Sequence, residues 1–188
     1  MPIVDLHCHS TASDGLLPPS DLARRALSNG VELLALTDHD NIDGLGDARS
    51  VVEASGKQFV NGVEISIEWG GLQVHILGYA FDAASEVLNA GLAGIRSGRI
   101  DRARRMGEAL AVAGVEGAFA GALRYAENPT LVSRAHFARY LVEIGVCKDV
   151  RSVFDSYIVP GKPGYVEHQW VSLADAVGNA PADSTHKR

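Results

Sequence analysis

The chain has 188 residues and carries 17 Lys and Arg against 23 Asp and Glu, a formal net charge of −6 at pH 7. Hydrophobic residues make up 46% and charged residues 21%, which excludes an intrinsically disordered protein and predicts one domain with a packed core. An isoelectric point near 5.6 argues against a basic protein that wraps nucleic acid, although a local cationic patch is still allowed.

Cysteine use and hydropathy predict the compartment. Cys8 and Cys147 are the only cysteines and lie far apart, so the sequence shows no disulfide framework and a reducing compartment is favoured. Met1 leads directly into a short apolar run without a basic segment or cleavage site, and no apolar stretch reaches membrane-spanning length. We therefore expect a soluble, cytoplasmic protein without a membrane partner.

The first 80 residues alternate short apolar runs with amphipathic segments. Pro18 and Pro19 open a helix that ends before Gly30, and a second helix is predicted over 43–55. Strands are predicted at 3–6, 31–37, 59–67 and 72–79. This order predicts an α/β architecture with parallel strands, in which functional groups gather at the carboxyl ends of the strands.

From residue 82 the pattern changes to one helix after another. The predicted helices cover 82–113, 116–125, 133–144 and 148–157, and a Pro-Gly-Lys-Pro-Gly segment ends the block. Tyr165-Val166 could return to the sheet, and Ser172 could open another short helix. The predicted organisation is a first barrel part at 1–80, a helical insert at 81–160, a return at 161–177 and a disordered tail at 178–188.

A barrel of parallel strands needs about 200 to 250 residues, and four or five predicted strands cannot close one. The sequence therefore predicts either an open α/β sheet or the front portion of a longer protein.

Histidines and acids at the ends of the predicted strands carry the sharpest chemical pattern. His7 and His9 lie two residues apart, so their side chains point to the same face, whereas Cys8 points to the other and is expected to be a small buried residue. The candidate metal ligands are His7, His9, Asp14, His39, Glu64 and His75. Any one of these histidines alone is more often an ordinary core or surface residue. Together, imidazoles and carboxylates suit Zn, Mn or Fe, and Glu64 could bridge two ions.

The segments around these residues resemble the opening motifs of a known family. Residues 7–9 with 13–15, 37–40, 62–66 and 74–78 resemble those of the PHP (polymerase and histidinol phosphatase) superfamily. Within it, the insert with residues 133–139 and 160–166 resembles a branch of small bacterial phosphoesterases that act on nucleoside bisphosphates and on the 5′ end of RNA. The resemblance extends from about residue 3 to residue 177.

This resemblance implies an incomplete distorted (β/α)7 PHP barrel with an inserted α-helical subdomain. It also implies that the six candidate ligands hold two or three Mn, Fe or Zn ions, with Glu64 bridging. The family supplies later ligands in a His-Pro motif and a distal Asp-x-His motif, and His168 and His186 stand in neither. A truncation or frame shift in the source sequence would explain the divergence after Val177.

The insert carries a second group of candidates. Arg96, Arg99 and Arg102 recur every three residues, which predicts a cationic stripe on one helix face, or else a solvated face paired with Asp101 and Glu108. Arg134, just inside a helix start, could hold a phosphate with a bidentate fork. His136 could line the pocket or be a packed histidine. The candidate substrate-binding residues are Arg99, Arg102, Arg104, Ser133, Arg134, His136 and Lys162.

The predicted activity is metal-dependent hydrolysis of a phosphate ester on a nucleotide, such as a 3′,5′-nucleoside bisphosphate, or at the 5′ end of short RNA, without stable duplex binding. His39 and Asp14 are the candidate catalytic residues, because a neutral histidine or an aspartate near the metals could protonate the leaving oxygen. One alternative is a catalytically impaired remnant that binds metal or phosphate. Another is a different phosphomonoesterase of the superfamily, such as a histidinol-phosphate phosphatase.

Overall fold

The structure is a computed structural model and describes residues 1–69 and 72–167. Its sheet has the spatial order β1-β2-β3-β4, with strands at β1 (Ile3–Asp5), β2 (Val31–Leu36), β3 (Gln58–Trp69) and β4 (Leu72–Tyr79). β1, β2 and β3 pair in parallel, but β4 pairs antiparallel with β3. Only two residues separate β3 from β4, too few for the crossover that a parallel pair requires. The prediction of parallel strands is therefore wrong for the fourth strand. The predicted α/β class with an incomplete barrel and a helical insert is confirmed, and the sheet is a curled half-barrel.

Two helices cover the parallel part of the sheet. α1 (Pro19–Ser28) has proline in its first turn, where the missing N–H is not needed, and Gly30 after it takes a φ of 83°. α2 (Leu45–Ala54) follows β2. Buried side chains of these elements form the first of two cores, which includes Ala23, Leu34, Leu36, Val52 and Phe59.

The helical insert has its own core. Its helices are α3 (Glu86–Ser97), α4 (Arg99–Val112), α5 (Ala118–Leu123), α6 (Arg134–Glu143) and α7 (Val150–Val153), with a 3-10 turn at Pro129–Leu131 and a π turn at Phe154–Ile158. The prediction of a single helix over 82–113 is wrong. The helix is interrupted at Gly98, which is the C-cap of α3 and the N-cap of α4. Glycine lowers helix stability by about 1 kcal/mol relative to alanine, which favours a break there. Phe137, Leu141, Leu110 and Ile158 lie at the centre of this core.

The last described residues do not form a strand. Tyr165 and Val166 follow a turn, Val166 packs against the helical core, and its carbonyl accepts a hydrogen bond of 3.1 Å from Arg102 Nε. The predicted helix from Ser172, the tail at 178–188, and His168 and His186 lie outside the described residues. Among the helices that the structure describes, none is long and apolar enough to cross a membrane.

Candidate metal centre

The carboxylate of Asp38 shapes the loop that follows β1. It accepts hydrogen bonds from Ser10 N at 2.7 Å, Ser10 Oγ at 2.6 Å and Ser13 Oγ at 2.5 Å. Burial raises the pKa of Asp38, although these hydrogen bonds oppose the shift. The loop is thereby tied to the end of β2, which brings His9 and Asp14 towards His39.

Glu64, on β3, lies at the centre of the predicted ligand set. Its Oε2 lies 2.9 Å from His7 Nε2, 3.0 Å from His9 Nε2 and 3.8 Å from His39 Nε2. Its Oε1 lies 2.8 Å from Nδ1 of His75, which comes from β4. The side chain of Glu64 is only 7% exposed, so one buried carboxylate contacts four imidazoles, which come from the segments after β1 and β2 and from the antiparallel β4.

Asp14 lies beside His9 and His39, on the side of the ligand cluster that faces the helical insert. Its Oδ1 lies 3.9 Å from His9 Nδ1 and its Oδ2 lies 4.0 Å from His39 Nε2. The rings of His9 and His39 stack with centroids 4.7 Å apart. All six predicted ligands thus fall into three overlapping groups. Within each group, the ligand atoms lie within 4.8 Å of one another. The groups are His7, His9 and Glu64; His9, Asp14 and His39; and His39, Glu64 and His75.

The electrostatics of the cluster favour the protonation states that metal ligands need at Glu64, Asp14 and His39, but not at His9. Burial would lower the pKa of His9, but its hydrogen bond with Glu64 and the charge of Asp14 raise it on balance. Burial alone would raise the pKa of Glu64, but hydrogen bonds from His75 and His9 lower it well below its usual value. Burial lowers the pKa of His39 to about 4, so its imidazole is neutral at pH 7. Burial would raise the pKa of Asp14, but the nearby His39 and His9 lower it on balance.

Two buried ring nitrogens without hydrogen-bond partners in the described part of the chain show that this cluster fits metal ions. His9 Nδ1 and His39 Nδ1 are buried, and neither has a hydrogen-bond partner among the described residues. The distance from His9 Nδ1 to Asp14 is too long for a hydrogen bond, so these buried polar atoms lack the partners that a folded protein normally supplies. Imidazole nitrogens together with carboxylate oxygens suit Zn, Mn or Fe, and the donor set fits divalent ions.

The predicted arginine stripe faces inward instead of towards solvent. Arg99 Nη2 donates to the carboxylate of Asp40 and, at 2.9 Å, to Ser66 Oγ. Arg99 and Arg102 are buried, so the solvated-face interpretation is wrong for both. Arg104 does lie on the exposed side, 2.9 Å from Asp101.

Arg102 and Arg134 belong to a dense cationic region next to the cluster. Burial and the neighbouring charges of Arg134 and Arg99 lower the pKa of Arg102 to about 10. Burial also lowers the pKa of Arg134, the guanidinium of which lies 5.8 Å from the ring centroid of Phe154. Like charges held together in partly buried positions make a surface that favours an anion.

The start of α6 joins this cationic region to the ligand cluster. Ser133 Oγ caps the helix at Ala135 N and donates to Asp14 Oδ2 at 3.1 Å. Ser133 N donates to His136 Nδ1 at 2.9 Å, and burial lowers the pKa of His136 to about 4. His136 is therefore a neutral imidazole with its proton on Nε2. Lys162 lies exposed in the turn after the insert.

Sequence reasoning missed Arg139 and the role of Asp40. Arg139 Nη2 donates to the backbone carbonyl of Asp14. A pattern was available, because Ser133, His136 and Arg139 recur every three residues along one helix face. Asp40 stands in the sequence only as part of the family-like segment 37–40, although its carboxylate is the partner of Arg99.

A half-barrel whose strand ends converge on imidazoles and carboxylates, beside a cationic helix start, defines a class of protein that can hold divalent cations next to an anion. A family model described as "PHP domain" matches residues 5–144, and the chain belongs to the PHP domain family. The resemblance found in the sequence is thereby confirmed.

Comparison with known proteins agrees with this family. The chain is 53% identical over 175 residues to a 3′,5′-nucleoside bisphosphate phosphatase of Chromobacterium violaceum, covering 93% of this chain and 61% of that protein. It is 41% identical over 173 residues to a 5′-3′ exoribonuclease of Haemophilus influenzae, covering 92% and 62%. A solved structure of an amidohydrolase from Chromobacterium violaceum, with bound sulfate and no metal, matches with a TM-score of 0.92 and 52% identity over 94% of this chain and 62% of that one. The chain spans about three fifths of the length of these relatives.

Proposed function

We propose that the chain forms the metal-binding and phosphate-binding part of a metal-dependent phosphoesterase that hydrolyses a nucleotide phosphate ester. The substrate class is a 3′,5′-nucleoside bisphosphate or the 5′ end of a short RNA, as the names of the relatives suggest. The observation that carries the proposal is the buried Glu64 carboxylate, which lies 2.8 to 3.0 Å from ring nitrogens of His7, His9 and His75. Asp14 of the same cluster contacts Ser133 at the start of α6.

The ligand cluster would hold two or three Mn, Fe or Zn ions through His7, His9, Asp14, His39, Glu64 and His75, with Glu64 shared between ions. Such ions supply activation of water and neutralisation of charge on the phosphoryl oxygens. The low pKa of Glu64 keeps its carboxylate ionised, and burial keeps His39 neutral, so both are ready to act as ligands near pH 7. Proton transfer to the leaving oxygen by His39 or Asp14 stays a prediction.

The helical insert would hold a second phosphate. Arg134 and Arg102 supply positive charge, Ser133 lies at the helix start, and neutral His136 offers an Nε2–H donor. A phosphate fixed here would orient the ester at the metal ions and would favour substrates with two phosphates.

The three other predicted substrate contacts stay predictions. Lys162 could reach this phosphate from its turn as an exposed point charge. Arg99 donates to Asp40 and Ser66, and Arg104 donates to Asp101, so a contact of either residue with the substrate would add to these hydrogen bonds.

Phosphate release from three substrates tests the proposal. The full chain, loaded with Mn²⁺, Fe²⁺ or Zn²⁺, should hydrolyse 3′,5′-bisphosphorylated adenosine or a 5′-phosphorylated short RNA faster than histidinol phosphate. Turnover should disappear in His9→Ala, because His9 belongs to two of the three ligand groups. A clear preference for histidinol phosphate would instead identify a different phosphomonoesterase.

A second candidate is a module that binds metal and phosphate without turnover. It rests on the same two features, the ligand cluster and the cationic start of α6, and differs from the enzyme only in lacking turnover. Tight binding of metal ions without hydrolysis of any of the three substrates at any of the three metals would support this candidate over the enzyme.

Arg134→Lys should weaken binding of the second phosphate without affecting hydrolysis at the metal ions. Lysine keeps the charge but loses the bidentate fork, and a hydrogen bond to a charged group is worth about 1.5–3 kcal/mol. We expect kcat/KM for the bisphosphate to fall about 10- to 100-fold, mostly through KM, with a much smaller change for a substrate bearing one phosphate. Arg151→Lys, at an exposed position of α7, is the matched control. Equal losses on both substrates would contradict a role for Arg134 at the second phosphate.

A further inference from the structure

Asp40 lies where the β2–β3 pairing ends. Beyond the last residue of β2, Glu64 N donates to Asp38 O at 3.2 Å and Asp40 N donates to Glu64 O at 2.9 Å. These two hydrogen bonds form a parallel bridge that places His39 opposite Glu64. At Asp40 the φ angle is 49°, a left-handed conformation that aspartate adopts more readily than most residues. The chain therefore turns away from β3 directly after His39.

The carboxylate of Asp40 replaces the backbone carbonyl that this turn removes. If the parallel ladder continued, Ser66 N would donate to the Asp40 carbonyl. Instead Ser66 N donates to Asp40 Oδ1 at 2.7 Å, and the displaced carbonyl accepts from Arg96 Nη1 at 2.7 Å. Asp40 Oδ2 accepts from Arg99 Nη2. Asp40 is thus held by β3 on one side and by α3 and α4 on the other.

Because the Asp40 carboxylate is buried, it needs its contacts with Ser66 and Arg99. The side chains of Asp40 and Ser66 are fully buried, and Arg99 is 6% exposed. A buried carboxylate without its partners is strongly unfavourable, so the position of Asp40 depends on Arg99 and Arg96 being in place. His39 precedes Asp40 directly and belongs to two of the three ligand groups.

We propose that Asp40 is a positioning residue for the metal centre, linking the docking of α3 and α4 to the placement of the His39 imidazole. The proposal rests on the proposed function, because it requires that His39 and Glu64 hold metal ions. Asp40 is not itself a ligand, since its carboxylate oxygens are taken by Ser66 and Arg99. The helical insert then has a role in metal binding that is separate from its contact with phosphate.

Cobalt binding without phosphate tests this role separately from substrate contact. Asp40→Asn keeps the size of the side chain and the tolerance for a left-handed backbone but removes the charge that holds Arg99. Titration of the full chain with Co²⁺, followed by visible absorption, should show affinity about 10- to 100-fold weaker than in the unsubstituted chain. Asp43→Asn, which makes the same charge change at an exposed position of the same loop, should bind Co²⁺ unchanged.

Arg96→Met is the second variant, because it removes a contact to Asp40 from part-buried Arg96 and leaves the carboxylate intact. It should also weaken Co²⁺ binding, and Arg96→Lys should restore part of the affinity by donating one hydrogen bond to the carbonyl. If near-UV circular dichroism shows that Asp40→Asn is unfolded, the Arg96 pair decides the question. Unchanged Co²⁺ affinity in the folded variants would overturn the positioning role alone. Absence of Co²⁺ binding by the unsubstituted chain would overturn the proposed function as well.

Discussion

Glu64→Gln is expected to remove at least one bound metal ion and to reduce phosphate release more than about 100-fold. Loss of an outer-sphere partner typically costs 10- to 100-fold in metal affinity or activity, and Glu64 would itself be a shared ligand. One oxygen of this carboxylate lies 2.9 Å from His7 Nε2 and 3.0 Å from His9 Nε2, and the other lies 2.8 Å from His75 Nδ1. Glutamine has nearly the same shape but places an N–H donor where one of these oxygens accepts, and it cannot bridge two cations.

Metal content after dialysis and phosphate release from the bisphosphate are the two measurements. Glu32→Gln is the matched control, because Glu32 is an exposed carboxylate of β2 whose nearest recorded partner is Lys57 Nζ at 4.0 Å. We expect this control to keep both the metal and the activity. Full metal content with full turnover in Glu64→Gln would show that neither metal binding nor catalysis depends on the Glu64 carboxylate.

The convergence of the candidate ligands was predictable because it follows from local rules. Side chains two residues apart share a face of a strand, which places His7 with His9. The carboxyl ends of parallel strands meet at one edge, which brings the residues after β1 and β2 together. The sequence predicts Glu64 beside them at the end of the third strand. The structure places it beside them but inside β3, opposite His39.

The partners of the arginines were not predictable in the same way. Helical periodicity indicated that Arg99 and Arg102 share a face, but it does not say what that face contacts. Arg99 contacts Asp40, which is 59 positions away in the sequence, and Arg139 contacts Asp14, which is 125 positions away. Such contacts depend on how the insert docks on the sheet, and this docking is a property of two packed cores rather than of any one segment.

Gly15→Ala is expected to disrupt the metal centre although glycine 15 carries no ligand. A Cβ at this position would overlap the carbonyl group of His9 and lie 2.7 Å from Ser10 Cα, and these are backbone atoms that no side-chain rotation can move. Gly15 N also donates to Ser10 O at 2.8 Å, which holds the two ends of the 10–15 segment together. The loop must shift, and the shift changes the separation of His9 from Asp14. We expect metal affinity to fall at least about 10-fold and the free energy of unfolding to fall by about 1–3 kcal/mol.

Gly46→Ala is the matched control for this substitution. Gly46 lies in α2, and a Cβ there meets nothing within 4 Å. Alanine should stabilise that helix by about 0.5–1 kcal/mol and leave metal affinity unchanged. Isothermal titration with Mn²⁺ and chemical unfolding measure the two quantities on both variants. Unchanged Mn²⁺ affinity in Gly15→Ala would mean that the loop relaxes without moving its ligands. In that case the hydrogen bonds from Ser133 and Arg139, rather than the tight turn, would fix Asp14 beside His39.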